Sequence, residues 1–131
     1  VLNANYMMAC LRDTYDMAHD GFCMHEFVMT LERLKKETGV SALDIAKGLI
    51  DRGIHPPTMY FPLIVHEALM LEPTETEGIE TQGHAAEVLR KLYHKAVEDA
   101  ESMHTAHHNM PIGRPDEVQA ARKPVLRWRN A

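Results

Sequence analysis

The stretch from Asp51 to Glu77 limits what this chain can fold into more than any other. It reads Asp-Arg-Gly-Ile-His-Pro-Pro-Thr-Met-Tyr-Phe-Pro-Leu-Ile-Val-His-Glu-Ala-Leu-Met-Leu-Glu-Pro-Thr-Glu-Thr-Glu. Gly53 suits the left-handed conformation that stops a helix. Pro56 and Pro57 fix their own φ angles and hold the preceding residues extended. Thr58 to Phe61 is β-branched and aromatic and reads as a strand ended by Pro62, with Tyr60 turned to the core. Ala68 to Leu71 reads as a second strand, stopped by Glu72-Pro73. Thr74 and Glu77 have the spacing of a capping box for a following helix. A polar, conformationally costly segment thus lies between two apolar strands, an arrangement in which loops carry function on a rigid scaffold.

Helical and alternating periodicities supply the other elements. Asn3 to about Asp16 reads as a helix with Asn3 as its cap. Phe22 to Leu31 alternates with period two and reads as an interior strand. Glu32 to Thr38 reads as a charged connection broken at Gly39. Ser41 and Asp44 resemble a capping box for a helix running to about Arg52. A long helix is expected from about Thr76 to Met103, firm from His84 onward because Gly78 and Gly83 weaken its start. Residues 104–131 read as a tail, with one or two helical turns over Asp116 to Arg122. Val125, Leu126 and Trp128 in this tail are expected to dock. The predicted fold is a single α+β domain over residues 1–131, with a short, mostly antiparallel three-stranded sheet and helices on one face.

Composition narrows the function classes. The net charge of −5 gives no general affinity for nucleic acid. Residues 111–131 hold five Lys or Arg against two Asp or Glu, while the rest holds nine against seventeen. The basic tail is expected to pack on the chain's own acidic body or on a partner. Cys10 and Cys23 form no CxxC and point to a reducing compartment, the cytoplasm, as buried thiols. No apolar run reaches the length of a membrane span. The chain begins with Val1 and not Met, which reads as processing or as a piece of a longer protein.

Candidate chemistry is incomplete. His104, His107 and His108 lie close together, but nothing completes a zinc shell, and histidines at a helix end also stabilise its last carbonyls. His55, beside Thr58, reaches toward a pocket or bridges loop carbonyls. Glu72, Glu75 and Glu77, with Thr74 and Thr76, suit acid–base work or simply a helix N-terminus. No phosphate loop or nucleophile elbow is present.

Several long motifs carry a family resemblance. They are Met24-His-Glu-Phe-Val, Leu34-Lys-Lys-Glu-Thr-Gly-Val-Ser-Ala-Leu-Asp-Ile-Ala-Lys, Gly53-Ile-His-Pro-Pro-Thr-Met-Tyr-Phe-Pro, Leu71-Glu-Pro-Thr-Glu-Thr-Glu and Asp116-Glu-Val-Gln-Ala-Ala-Arg-Lys-Pro-Val-Leu-Arg-Trp. Together they resemble glycine dehydrogenase (decarboxylating), the P protein of the glycine cleavage system, in its bacterial split form, subunit 2. The resemblance covers about Val1 to Trp128. It implies the small C-terminal domain of a fold-type-I pyridoxal phosphate enzyme, with the first helix joining it to a large domain. It implies glycine as substrate, subunit 1 and the lipoylated H protein as partners, and a hetero-oligomer. The family's cofactor lysine follows a histidine in the upstream large domain. His94-Lys95, the one such pair here, stands in the wrong context, so no catalytic, cofactor-binding or metal residue is assigned in this chain. Without the upstream domain the chain is expected to be inactive and not to hold the cofactor. His55, Thr58, Thr74 and Glu75 are expected on the rim of the substrate cleft. Two departures stand in the tail: Ala106-His107-His108-Asn109 lacks an expected proline, and Arg129-Asn130-Ala131 reads as an extension. Read from its residues alone, the chain also fits an independent α+β ligand-binding or interaction module.

Overall fold

Strand pairing sets the frame of the computed structural model, which describes residues 1–128. The Arg129-Asn130-Ala131 extension lies outside the described residues. The elements run α1 (Leu2–Leu11), β1 (Asp16–Met17), β2 (Phe27–Thr30), α2 (Glu32–Thr38), α3 (Ala42–Ile50), β3 (Thr58–Met59), β4 (Ala68–Leu71), α4 (Ile79–Glu98), α5 (Ala100–Thr105) and α6 (Glu117–Arg122). The sheet has four strands in the order β1-β2-β4-β3, each neighbouring pair antiparallel. Phe27 faces Leu71 and Met29 faces Leu69 across the β2–β4 ladder. Because side chains alternate along a strand, these four share one face. They form one buried cluster with Met7, Met8 and Leu11 of α1, Leu34 of α2, Ile45 and Leu49 of α3, Leu89 and Leu92 of α4, and Met103 of α5. The fold is therefore an α+β sandwich with its helices packed on the sheet, as expected. Each fully buried Leu or Met stabilises it by roughly 1.5–3 kcal/mol relative to exposure.

The local signals succeed where the interaction is local. Ser41 accepts from the Asp44 N–H, and the Asp44 carboxylate accepts from the Ser41 N–H at 2.8 Å, a complete capping box. β4 matches its expected bounds and is buried throughout.

Several boundaries differ. α1 ends at Leu11, and Asp16–Met17 forms an extra edge strand. The side chain of Asn3 makes no cap; it reaches carbonyls 71 and 74 residues further along the chain, as described below. β2 keeps only the end of its alternating run, with Phe22 and Met24 exposed on the preceding loop. Residues 32–38 are helical, not a connection: one apolar residue, Leu34, is buried, and Glu32 and Lys36 pair at 2.8 Å on the solvent side. Gly39 closes α2 at φ +81°, a conformation natural to glycine. β3 stops at Met59 because Tyr60 takes φ +57°, and Tyr60 is exposed instead of packed in the core.

No capping box forms at residues 74–77. Thr74 and Thr76 pair hydroxyl to hydroxyl at 2.8 Å, and α4 starts after Gly78 without a side-chain cap. The long helix breaks at Asp99, whose carboxylate accepts from the Ser102 N–H at 3.2 Å and opens α5. The expected apolar stripe holds at Val88, Leu89, Leu92, Ala96 and Met103, whereas Val97 faces solvent. Cys10 and Cys23 are free thiols and only half-buried. Among the described residues, no helix is long and apolar enough to cross a membrane.

Candidate functional site

A cleft of about 650 Å³ opens where α3 ends, β3 and β4 pair, and α4 begins. Its first wall follows from the glycine-proline punctuation. The chain leaves α3, turns at Gly53 with φ +70°, and is tied back by the Ile54 N–H donating to Leu49 O at 3.1 Å. Pro56 and Pro57 then carry it extended into β3. The facing wall is the loop from Glu72 to Glu77. Two amides hold that loop: Asn3 Nδ2 donates to Thr74 O at 2.7 Å and Glu77 O at 3.0 Å, and Gln82 Nε2 donates to Glu77 O at 3.0 Å. The floor is apolar, with Met7, Leu49, Ile54, Leu71 and Leu89.

His55, Thr58 and Thr74 line this cleft, and Glu75 stands exposed on the adjoining loop outside the lining. The imidazole of His55 is exposed and engages no hydrogen bond or ion pair among the described residues. Glu72 and Glu77 of the acidic group line it too, whereas sequence reasoning missed Arg52, Gln82 and His84. Gln82 is the telling case. It is buried, its Nε2 is satisfied, and its Oε1 is a buried acceptor without a partner. The available signal was a polar residue four positions before the buried Ala86 on the helix's apolar stripe. Among the described residues, no lysine lines the cleft. The arrangement can bind and orient a group with both apolar and polar parts. Among the described residues, no hydroxyl of the lining is hydrogen-bonded to a histidine or carboxylate.

The histidine cluster has a different role. Residues 104–114 run as a strap over α3. Asp44, whose side chain is 7 % exposed, takes an ion pair from Arg114 at 2.8 Å and faces His104 Nδ1 at 3.3 Å. Arg114 also donates to the carbonyls of Met103 and Ala106. Asp51, equally enclosed, accepts from the N–H groups of His108 and Asn109 at 2.7 and 2.8 Å and pairs with His108 Nδ1 at 3.2 Å. His107 Nε2 lies 2.9 Å from Ile112 O. Burial pushes both carboxyls up. The Ser41 N–H and hydroxyl with Arg114 outweigh it at Asp44, and the Asn109 and His108 groups outweigh it at Asp51, so both lie below the ordinary value. His104 and His108 are committed to the carboxylates under the strap, the buried Nδ1 of His107 has no partner among the described residues, and among those residues no group of His, Cys, Asp and Glu could hold a metal ion.

Beyond the strap, the apolar side chains of the tail are not buried against the described residues. α6 buries no residue, and Val125, Leu126 and Trp128 are 89 %, 87 % and 90 % exposed. Only Arg114 of the basic tail pairs with the acidic body among the described residues.

Comparison with known proteins gives the chain its relatives. The family model for the glycine dehydrogenase C-terminal domain matches residues 1–115. A probable glycine dehydrogenase (decarboxylating) subunit 2 from Treponema denticola is 64 % identical over 129 residues. Proteins of the same description from Thermosipho africanus and Thermotoga petrophila are 55 % and 53 % identical over 128 and 129 residues. Each match covers 98 % of this chain and 27 % of the relative, so the chain spans about a quarter of the length of these relatives.

Proposed function

The chain belongs to the glycine dehydrogenase C-terminal domain family, and from that premise we propose that it serves as the C-terminal part of a pyridoxal phosphate-dependent glycine decarboxylase subunit. In this reading the whole enzyme releases CO₂ from glycine and passes the aminomethyl group to the lipoylated H protein in the cytoplasm. A companion subunit, subunit 1, completes it. The domain spans residues 1–131, with 104–131 as its strap and tail.

The cleft supports this reading through one observation: His55 and the Gln82 Oε1 stand at an apolar-floored opening with their hydrogen-bonding capacity unspent. Ligand sites favour such concave surfaces between domains. We place His55, Thr58 and Thr74, with Glu75 beside them, at the rim facing the reacting groups. There His55 would orient glycine or move a proton, and the proline-stiffened loop would hold it in place.

The residues of the cleft do not fit pyridoxal phosphate on their own. Among the described residues no lysine lines it, and the α4 N-terminus beside it carries Glu77 and Glu80, which repel a phosphate. Lys95 of the His94-Lys95 pair is bound to Asp99 at 2.6 Å on α4. We therefore place the cofactor's lysine and phosphate cradle outside the described residues.

The test is reconstitution. The full-length subunit, mixed with its companion, H protein and pyridoxal phosphate, should release CO₂ from labelled glycine. This chain alone should release none and should lack the long-wavelength absorbance of lysine-bound cofactor. A full-length pair that leaves glycine untouched would reject the reading in favour of a separate binding module.

A further inference from the structure

We propose that Asn3 is a positioning residue of the cleft: from the first turn of α1 it fixes the rim loop, and with it the places of Thr74 and Glu75 against the reacting groups. This rests on the reading of the rim as facing glycine chemistry. Three observations carry it.

First, one side chain holds both ends of the segment that matters. The Asn3 amide nitrogen carries two N–H donors and bonds two carbonyls, Thr74 O at 2.7 Å and Glu77 O at 3.0 Å. These carbonyls bracket Glu75 and Thr76, so a planar amide sets the segment between them. Second, little else holds that segment. Thr74 to Glu77 are all exposed, so packing does not fix them. Among the described residues, their other hydrogen bonds are local: the Thr74–Thr76 hydroxyl pair, the Glu77 N–H donating to Thr74 O at 3.2 Å, and the Gln82 amide from the start of α4. Asn3 is the tie that comes from a distant part of the chain. Third, Asn3 stands on a firm base that does not itself need an asparagine. Ala4, Met7, Met8 and Leu11 bury α1 in the core. Met7, four residues on and on the same helix face as Asn3, lies in the cleft floor. Asparagine favours caps and turns over helical positions, yet Asn3 caps nothing in α1. Its amide is spent on the rim loop.

Asn5 supplies the control. It too ties α1 to a distant loop, donating from Nδ2 to Cys23 O at 2.7 Å and accepting from the Cys23 N–H at 3.0 Å, but Cys23 is not among the lining residues. The full-length subunit, with its companion, H protein and pyridoxal phosphate, is compared as wild type, Asn3→Asp, Asn3→Ala and Asn5→Ala. Asn3→Asp keeps the side chain's shape and removes both donors. Glycine decarboxylation and hydrogen–deuterium exchange of residues 74–77 are measured on each. Both Asn3 variants should lose at least tenfold in kcat/KM, since a displacement of about 1 Å at a site is enough for such a loss, and should exchange at least threefold faster across the loop. Asn5→Ala should change either quantity less than twofold. Asn3 variants with wild-type kcat/KM would overturn the proposal, whether or not the loop exchanges faster. So would an Asn5→Ala variant that loses as much activity, because loosening any tie of α1 would then have the same effect. A wild-type pair that leaves glycine untouched rejects the functional reading and this proposal with it, whereas an active wild type with unaffected Asn3 variants rejects this proposal alone.

Discussion

The strap across α3 and the loop that follows this helix treat their polar groups in opposite ways. Asp44 in its first turn and Asp51 at its C-cap are enclosed, and the strap of residues 104–114 satisfies both with an arginine, imidazoles and backbone N–H groups. A few residues beyond Asp51, His55 is exposed on a stiff loop and engages nothing among the described residues. The histidines differ in the same way: His104 and His108 are committed to carboxylates, and His55 is not. Polar groups that satisfy one another hold a fold together. Those left unspent at a concave, apolar-floored surface are available to a ligand or partner.

The largest effect should come from the strap. Asp44→Ala removes the capping box and leaves Arg114 and His104 without their acid, so this chain should lose about 3 kcal/mol of unfolding free energy in urea. A loss under about 1 kcal/mol would mean that the strap is ornamental. Gly48→Ala comes next. A Cβ there would lie 2.6 Å from Leu92 Cδ2 and 3.1 Å from Met103 Cε, at the root of the strap. Overpacking exceeds the gain in helix propensity, and the net loss should be about 1–2 kcal/mol, read as a lower urea midpoint. Acid should act in the same direction. The folded-state pKa values of Asp44 and Asp51 lie below the ordinary 3.8. Their stabilisation is therefore full above that value and is lost as pH falls through the depressed values. Asp44→Ala should flatten the fall in melting temperature below pH 4. On the cleft side, His55→Ala should change stability by less than about 0.5 kcal/mol, because no partner is lost. A larger destabilisation would place His55 in the structural class and erase the contrast.

Much of the fold was legible where the determining contacts are close in sequence. The Ser41–Asp44 box, the β4 run and the stripe on α4 are all local patterns. α2 was missed because its one buried side chain, Leu34, gives no periodicity, and its charged face looks like a connection. The break at Asp99 was missed because a carboxylate bonding three residues ahead competes with a helix that otherwise continues to propagate. The strap could not be read at all, since Asp51 meets His108 across 57 residues. Of the cleft, the glycine, the prolines and His55 stood out as costly loop chemistry. Gln82 hid inside an apolar stripe and shows itself only as a buried oxygen without a donor.

We propose that the unspent rim faces the chemistry. Steady-state glycine decarboxylation by the reconstituted full-length enzyme, wild type against His55→Ala, tests it most directly. The account predicts at least a tenfold fall in kcat/KM for glycine, with an unchanged melting temperature. Unchanged kcat and KM in a variant that folds and assembles normally would contradict it.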